Sequence, residues 1–203
     1  MFGLPTSTEV KKQLQKKAIY AKFDMLASQR EHFDADISRI DFVALISPTT
    51  IPAISVVGMV KEIYVLSVQL KKKDYDAKNI TLLNKLIPHK MVFALHYEEE
   101  VQFAIYHTKL ITSEWQTSEE ALLPLSGLNL DAVWENIVTN IGQIKITDGN
   151  TLAEQIKVED VRVKLKAQIA SLTQKLNKEK QFNRQMEINS EIKLLKKKLL
   201  NLK

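Results

Sequence analysis

Met91-Val92-Phe93-Ala94-Leu95-His96-Tyr97 and Val101-Gln102-Phe103-Ala104-Ile105-Tyr106-His107-Thr108, separated by Glu98-Glu99-Glu100, decide the fold. Both runs are short, apolar and rich in aromatic or β-branched residues, so they read as two strands joined by an acidic hairpin turn. Upstream, Lys61 to Leu70 alternates, with Tyr64, Leu66, Val68 and Leu70 on one face, and reads as a third strand that Lys71-Lys72-Lys73-Asp74 ends. A short helix is expected at Ile80–Leu86, and Lys109–Trp115 extends the sheet. These segments predict an antiparallel sheet of roughly three to five strands.

The strongest helix signal follows the sheet. Leu130, Val133, Trp134, Ile137, Val138 and Ile141 recur at helical spacing, with Asn129 as a cap and Gly142 as a stop. This stripe is expected to lie on the sheet, with Trp134 burying the most area. At the other end of the chain, Thr6 and Glu9 have the spacing of a capping box. They predict a helix that turns Val10, Leu14, Ala18, Ala21 and Met25 to one side. A second helix is predicted over Asp36–Ile46, with Ile37, Ile40, Val43 and Ala44 inward, until the prolines of Ser47-Pro48-Thr49-Thr50-Ile51-Pro52 break it. The fold class expected is therefore α+β, an antiparallel sheet packed with helices.

From about Val158 to Lys203 the chain contains no Gly and no Pro and reads as a basic amphipathic helical tract. Leu165, Ile169, Leu172 and Leu176 follow a heptad rhythm, and Ile188, Ile192, Leu195, Leu199 and Leu202 follow it again in another register. The polar block Asn177–Gln185 separates them, so the tract is either a discontinuous coiled coil or two helices that fold back on each other. Residues 151–203 hold 13 Lys/Arg and 6 Asp/Glu, a balance of +7, whereas the first 150 residues hold 16 and 18, a balance of −2. A basic tail suits nucleic acid or an acidic protein surface; it also suits a solvated helix. Asp148-Gly149-Asn150 is the expected boundary between a body, residues 1–150, and a tail, residues 151–203.

The composition, 45% hydrophobic and 26% charged, fits a globular protein with a real core. The absence of cysteine excludes disulfides and thiolate metal sites. No apolar run approaches the ~20 residues that span a bilayer. The Met1-Phe2-Gly3-Leu4-Pro5 start lacks the regions of a signal peptide, so a cytoplasmic location is expected.

Candidate functional residues fall into three groups. In the polar block, Glu179, Asn183 and Glu187 would share one helix face, with Lys180, Gln181 and Arg184 on the adjoining one. Polar groups in place of seam leucines suggest partner recognition or a register-fixing network, against the simpler reading of a solvated interruption. The second group is Gln69-Leu70-Lys71 at a strand end, with Asp36 or Asp41 upstream, an arrangement distantly like metal-dependent nucleases. Gln is a poor metal ligand and lysine-rich strand ends are common. The third group is the histidines. His89 and His107 could approach one another, and His32 lies near Asp34 and Asp36, but neither set has the ligands of a zinc site. No catalytic residue, metal or cofactor is assigned, and no glycine-rich phosphate loop is present.

Lys178-Glu179-Lys180-Gln181-Phe182-Asn183-Arg184-Gln185-Met186-Glu187-Ile188-Asn189 resembles the C-terminal signature of the bacterial domain-of-unknown-function family 4391. Similar to that family, in the same order, are Leu4-Pro5 with Val10, Lys16-Lys17 and Tyr20; Ile87-Pro88 leading into Met91–Leu95; and Leu123-Pro124 through Gly127-Leu128-Asn129-Leu130. Where members usually carry Tyr-Lys on the second hairpin strand, this chain has Tyr106-His107-Thr108-Lys109. Members tend to be encoded near helicases and DNA methyltransferases. The resemblance therefore implies a non-enzymatic accessory or interaction subunit of a DNA-processing or phage-defence system, with a helicase or methyltransferase as partner. The alternative is a nucleic-acid-binding subunit or a degenerate restriction-type nuclease. Self-association through the helical tail and direct DNA contact by it are both compatible with this expectation.

Overall fold

The computed structural model describes residues 1–145 and 151–202, which fall into two compact units, Met1–Gln143 and Ile144–Lys203. The predicted boundary at Asp148-Gly149-Asn150 lies outside the described residues.

The first unit is built on one seven-stranded sheet. Its strands are β1 (Glu9–Gln13), β2 (Ile37–Ile46), β3 (Ile63–Leu70), β4 (Lys90–Tyr97), β5 (Glu100–Tyr106), β6 (Leu110–Thr112) and β7 (Gln116–Thr117). The strands run in sequence order from β1 to β6, and β7 also pairs with β5. The class is α+β, as expected, but the sheet is mixed: β3 and β4 are parallel, joined through helix α3 (Ala77–Asn84). A parallel pair needs such a crossover, and a helix supplies it. The β4–β5 hairpin matches its sequence signal, with Tyr97 opposite Glu100 and Glu98 in a left-handed turn conformation (φ 52°).

Two predicted helices are corrected. Thr6–Thr8 forms one 3₁₀ turn, in which the Thr8 hydroxyl donates to the Pro5 carbonyl, and the chain then enters β1 rather than a helix. Helix α1 begins only at Lys16 and ends at Lys22. The Asp36–Ile46 segment is strand β2; the helix there, α2 (Ala27–Asp36), precedes it. Strand β2 is bonded to β1 on one side and to β3 on the other, so its inward residues serve a central strand. At the sheet margin, β1 is mostly exposed and its register shifts between Glu9 and Lys12, an irregularity of the bulge type.

Side chains of α1, α2 and α3 share a core with one face of the sheet. Ile19, Phe33, Ile80 and Leu83 pack there with Ile40, Leu66, Val68, Met91, Phe93 and Leu95. Alternation along β4 and β5 sends Val92, Ala94, Phe103 and Ile105 to the opposite face. Helix α4 (Leu130–Gly142) packs on β5 and β6 and covers that face. All six residues of its predicted stripe are buried, and Trp134 is 2% exposed. Asn129 caps the helix by accepting from the Ala132 N–H at 2.9 Å. The end differs by one position from expectation: Gly142 is still helical, and Gln143 takes the left-handed conformation (φ 49°).

The second unit is a helical hairpin. Helix α5 (Leu152–Lys178) and helix α6 (Phe182–Leu200) pack against each other, so the two leucine registers belong to two helices that fold back, except Leu202, which follows α6. Thr151 and Glu154 form a reciprocal capping box at the start of α5. No helix among the described residues is long and apolar enough to cross a membrane.

Candidate functional site

The polar block of the C-terminal unit forms the hairpin's turn. The expected single face of Glu179, Asn183 and Glu187 is not formed, because α5 ends at Lys178 and Glu179 is extended (φ −75°, ψ 132°). The Glu179 carboxylate instead accepts the backbone N–H groups of Lys180 and Gln181, both at 2.9 Å. Its backbone carbonyl accepts from Gln185 Nε2 at 2.7 Å, and its other carboxylate oxygen lies 4.0 Å from Arg184. These bonds close the turn without Gly or Pro and place a negative charge at the start of α6, where the helix dipole favours it. The Gln181 N–H foremost, with the Lys180 N–H and Arg184, holds the Glu179 pKa below the usual carboxylate range against the opposing effect of desolvation. Beside the turn, Phe182 is 71% exposed and Met186 54% exposed, one helical turn apart. Asn183 and Glu187 follow on α6, and Lys175, Lys178, Lys180 and Arg184 supply positive charge around the same apex.

The Asp36 and Gln69-Leu70-Lys71 reading is met in part. Ile37 pairs with Leu70, and the Lys71 N–H donates to the Asp36 carbonyl at 2.8 Å, so the named residues do share one end of the sheet. The Asp36 carboxylate is nevertheless fully engaged. Oδ2 accepts from the Asp76 N–H at 2.7 Å and Asn79 Nδ2 at 2.8 Å, and Oδ1 pairs with Lys72 at 2.8 Å. Burial by itself would raise the Asp36 pKa, but Lys72, the Asp76 N–H and Asn79 outweigh it and leave the pKa lowered. Asp41 is ion-paired with Arg39 at 2.7 Å, and Gln69 Nε2 reaches the His96 carbonyl at 3.4 Å. Asp36 thus ties the strand end to the start of α3. Among the described residues no group of three or more His, Asp or Glu is placed to hold a metal ion.

Next to this lies a cluster that sequence reading missed. Asp34 accepts from Lys16 at 2.5 Å and from the Tyr20 hydroxyl at 2.6 Å. Lys16 also reaches the Ile37 carbonyl. Burial, and then the hydrogen bond to Asp34, push the Tyr20 pKa well up, so its proton stays on oxygen. His32, named beside Asp34 and Asp36 in the sequence, is exposed and takes no part.

His89 and His107 do come together, as lining residues of one cavity of about 540 Å³ at the N-terminal ends of β3 and β4. His89 Nε2 lies 3.8 Å from Glu62, which also accepts the Tyr64 hydroxyl at 2.8 Å. Burial foremost, and the charge of Lys90 after it, lower the His107 pKa, while Glu135 opposes them. Lys61, Asn84, Lys90 and Tyr106 complete the polar lining. They are scattered over the sequence, and only the two histidines were marked in it.

No curated protein and no solved structure matches the chain. Residues 2–199 match the family described as "Domain of unknown function (DUF4391)". That span takes in the Leu4-Pro5 start, the β4–β5 hairpin, helix α4 and the Glu179 turn, and on it the chain belongs to the DUF4391 family.

Proposed function

We propose that the protein is a non-enzymatic, cytoplasmic accessory subunit of a bacterial DNA-processing or defence system, working through a protein contact made by the apex of its helical hairpin. The observation that carries this reading is the exposed pair Phe182 and Met186 on the first turns of α6, beside the turn that Glu179 closes, with Lys178, Lys180 and Arg184 close to them in the sequence. Exposed large apolar side chains within a charged rim are the composition of an interaction surface. The excess of positive charge in residues 151–203 selects a protein partner with an acidic rim. The gene neighbourhood implied by the family supports a helicase or methyltransferase as that partner.

The test is co-purification from the native host with the wild type, with Phe182→Ser/Met186→Ser and with Gln181→Ala/Asn183→Ala/Arg184→Ala. Both variants should keep the fold and lose the same partner. Unchanged recovery of every partner would overturn the reading. DNA affinity that falls steeply with salt, and that the triple variant weakens, would instead favour nucleic-acid binding by the basic helices.

A further inference from the structure

The cavity at the entry to β3 and β4 has the chemistry of a ligand site. Lys61, Asn84, Lys90, Tyr106 and His107 line it, and no hydrogen bond or ion pair with a described residue engages their side-chain polar atoms. The Lys90 ammonium lies over the Trp134 ring, 5.4 Å from its centroid. His107 Nδ1 is buried and unpartnered. A buried polar atom left without a partner is costly, so His107 Nδ1, with the half-buried Asn84, Lys90 and Tyr106 and the exposed Lys61 around the same cavity, points to a polar guest. The one acid in the lining, Glu62, is turned to the Tyr64 hydroxyl and His89, and the lysines set the sign of the remaining charge. The half-buried Ile87, with the exposed Pro88 and Met59 at the rim, supplies the apolar part of the lining. A volume of about 540 Å³ exceeds the needs of a bare phosphate and lies in the range of small-molecule sites.

We infer that this cavity binds a mononucleotide, with the phosphate between the Lys61 and Lys90 ammonium groups, the base against Met59, Ile87 and Pro88, and Asn84, Tyr106 and His107 meeting its polar edges. The phosphate is a strong acceptor for two cations, and the ammonium groups are point donors suited to it. The site lies wholly within the first unit and does not depend on the hairpin contact proposed above.

Isothermal titration calorimetry of the full chain with AMP, ribose 5-phosphate, adenosine and inorganic phosphate tests this. AMP should bind saturably, and each of the three partial ligands should bind more weakly. Lys61→Gln/Lys90→Gln should lose affinity by about tenfold or more, as for removal of charge-assisted contacts to phosphate. Tyr106→Phe, which removes a single oxygen and keeps the ring's packing, should weaken AMP with no change in thermal unfolding. A control pair on α6, Lys193→Gln/Lys196→Gln, should bind AMP like the wild type. Absence of saturable AMP binding, equal affinity in the folded Lys61→Gln/Lys90→Gln variant, or ribose 5-phosphate or inorganic phosphate binding as tightly as AMP would each overturn the inference.

Discussion

Gly58 lies so close to Asp131 that a Cβ added to it would sit 2.6 Å from the carboxylate oxygen Oδ2. The approach exists because Asp131, in the first turn of α4, accepts the backbone N–H groups of Gly58, Met59 and Val60 at 3.1, 3.0 and 3.3 Å. One carboxylate thereby fastens the β2–β3 connection to a helix on the far side of the sequence. Gly58→Ala must displace the carboxylate and should cost about 1–3 kcal/mol, the usual scale of overpacking. Asp131→Ala, which leaves the same three donors without their acceptor, should destabilise in the same direction. Denaturant unfolding of both variants measures this; a Gly58→Ala variant as stable as wild type would show that the loop slides away freely.

Trp134 is almost fully covered on α4, and its replacement by Ala should destabilise the first unit by about 3–5 kcal/mol. A loss below about 1 kcal/mol in chemical denaturation would show that the helix does not seal the core.

Asp36 should make stability depend on acidity. Its folded pKa is lowered, so its contribution is fully present above the ordinary carboxylate range and disappears as pH falls through the folded value. Asp36→Asn should therefore be less stable than wild type at pH ~7, and the difference should shrink on acidification below pH ~4. Unfolding curves at the two pH values decide it, and a gap that widens in acid would contradict the assignment.

With both Asp36 oxygens taken by Lys72, Asp76 and Asn79, the isolated protein should leave DNA and RNA uncut in Mg²⁺ or Mn²⁺. Metal-dependent cleavage abolished by Lys71→Ala would reverse the reading of this strand end.

Glu179→Ala should loosen the hairpin, since it removes the acceptor for two backbone donors at once. Hydrogen exchange should rise first in residues 179–185 while the first unit keeps its protection. Unchanged exchange there would mean that helix packing alone closes the turn.

Some of this was legible in the sequence. The α4 stripe is legible because Leu130 through Ile141 satisfies the helical period, β3 because Lys61–Leu70 alternates, and β4 and β5 because their apolar runs are short and rich in aromatic or β-branched residues. Ile37–Ile46 is ambiguous in sequence because Ile37, Ile40 and Ala44 fit a helical stripe as well as they fit a central strand; pairing with β1 and β3 makes it a strand, and pairing is not local. The parallel β3–β4 arrangement could not be read, since strand direction depends on where α3 carries the chain. In the tail, the register change across the polar block leaves a continuous coiled coil and a fold-back both open; the structure takes the fold-back, closed by the Glu179 side chain where Gly or Pro would usually mark a turn. Apart from its histidines the cavity leaves no sequence signal, because Lys61, Asn84, Lys90 and Tyr106 are brought together by the parallel β3–β4 pairing, the crossover helix α3 and the antiparallel β4–β5 pairing, none of them local.

The margins of the sheet carry a further meaning. On one side β1 is irregular and presents Lys11 and Lys12; on the other β6 and β7 span only three and two residues. Irregular, charged or very short edges are poor templates for a strand from another chain. Sheet extension, and the runaway fibre growth that accompanies it, is thus disfavoured at both borders, and association by this protein is steered toward its helices.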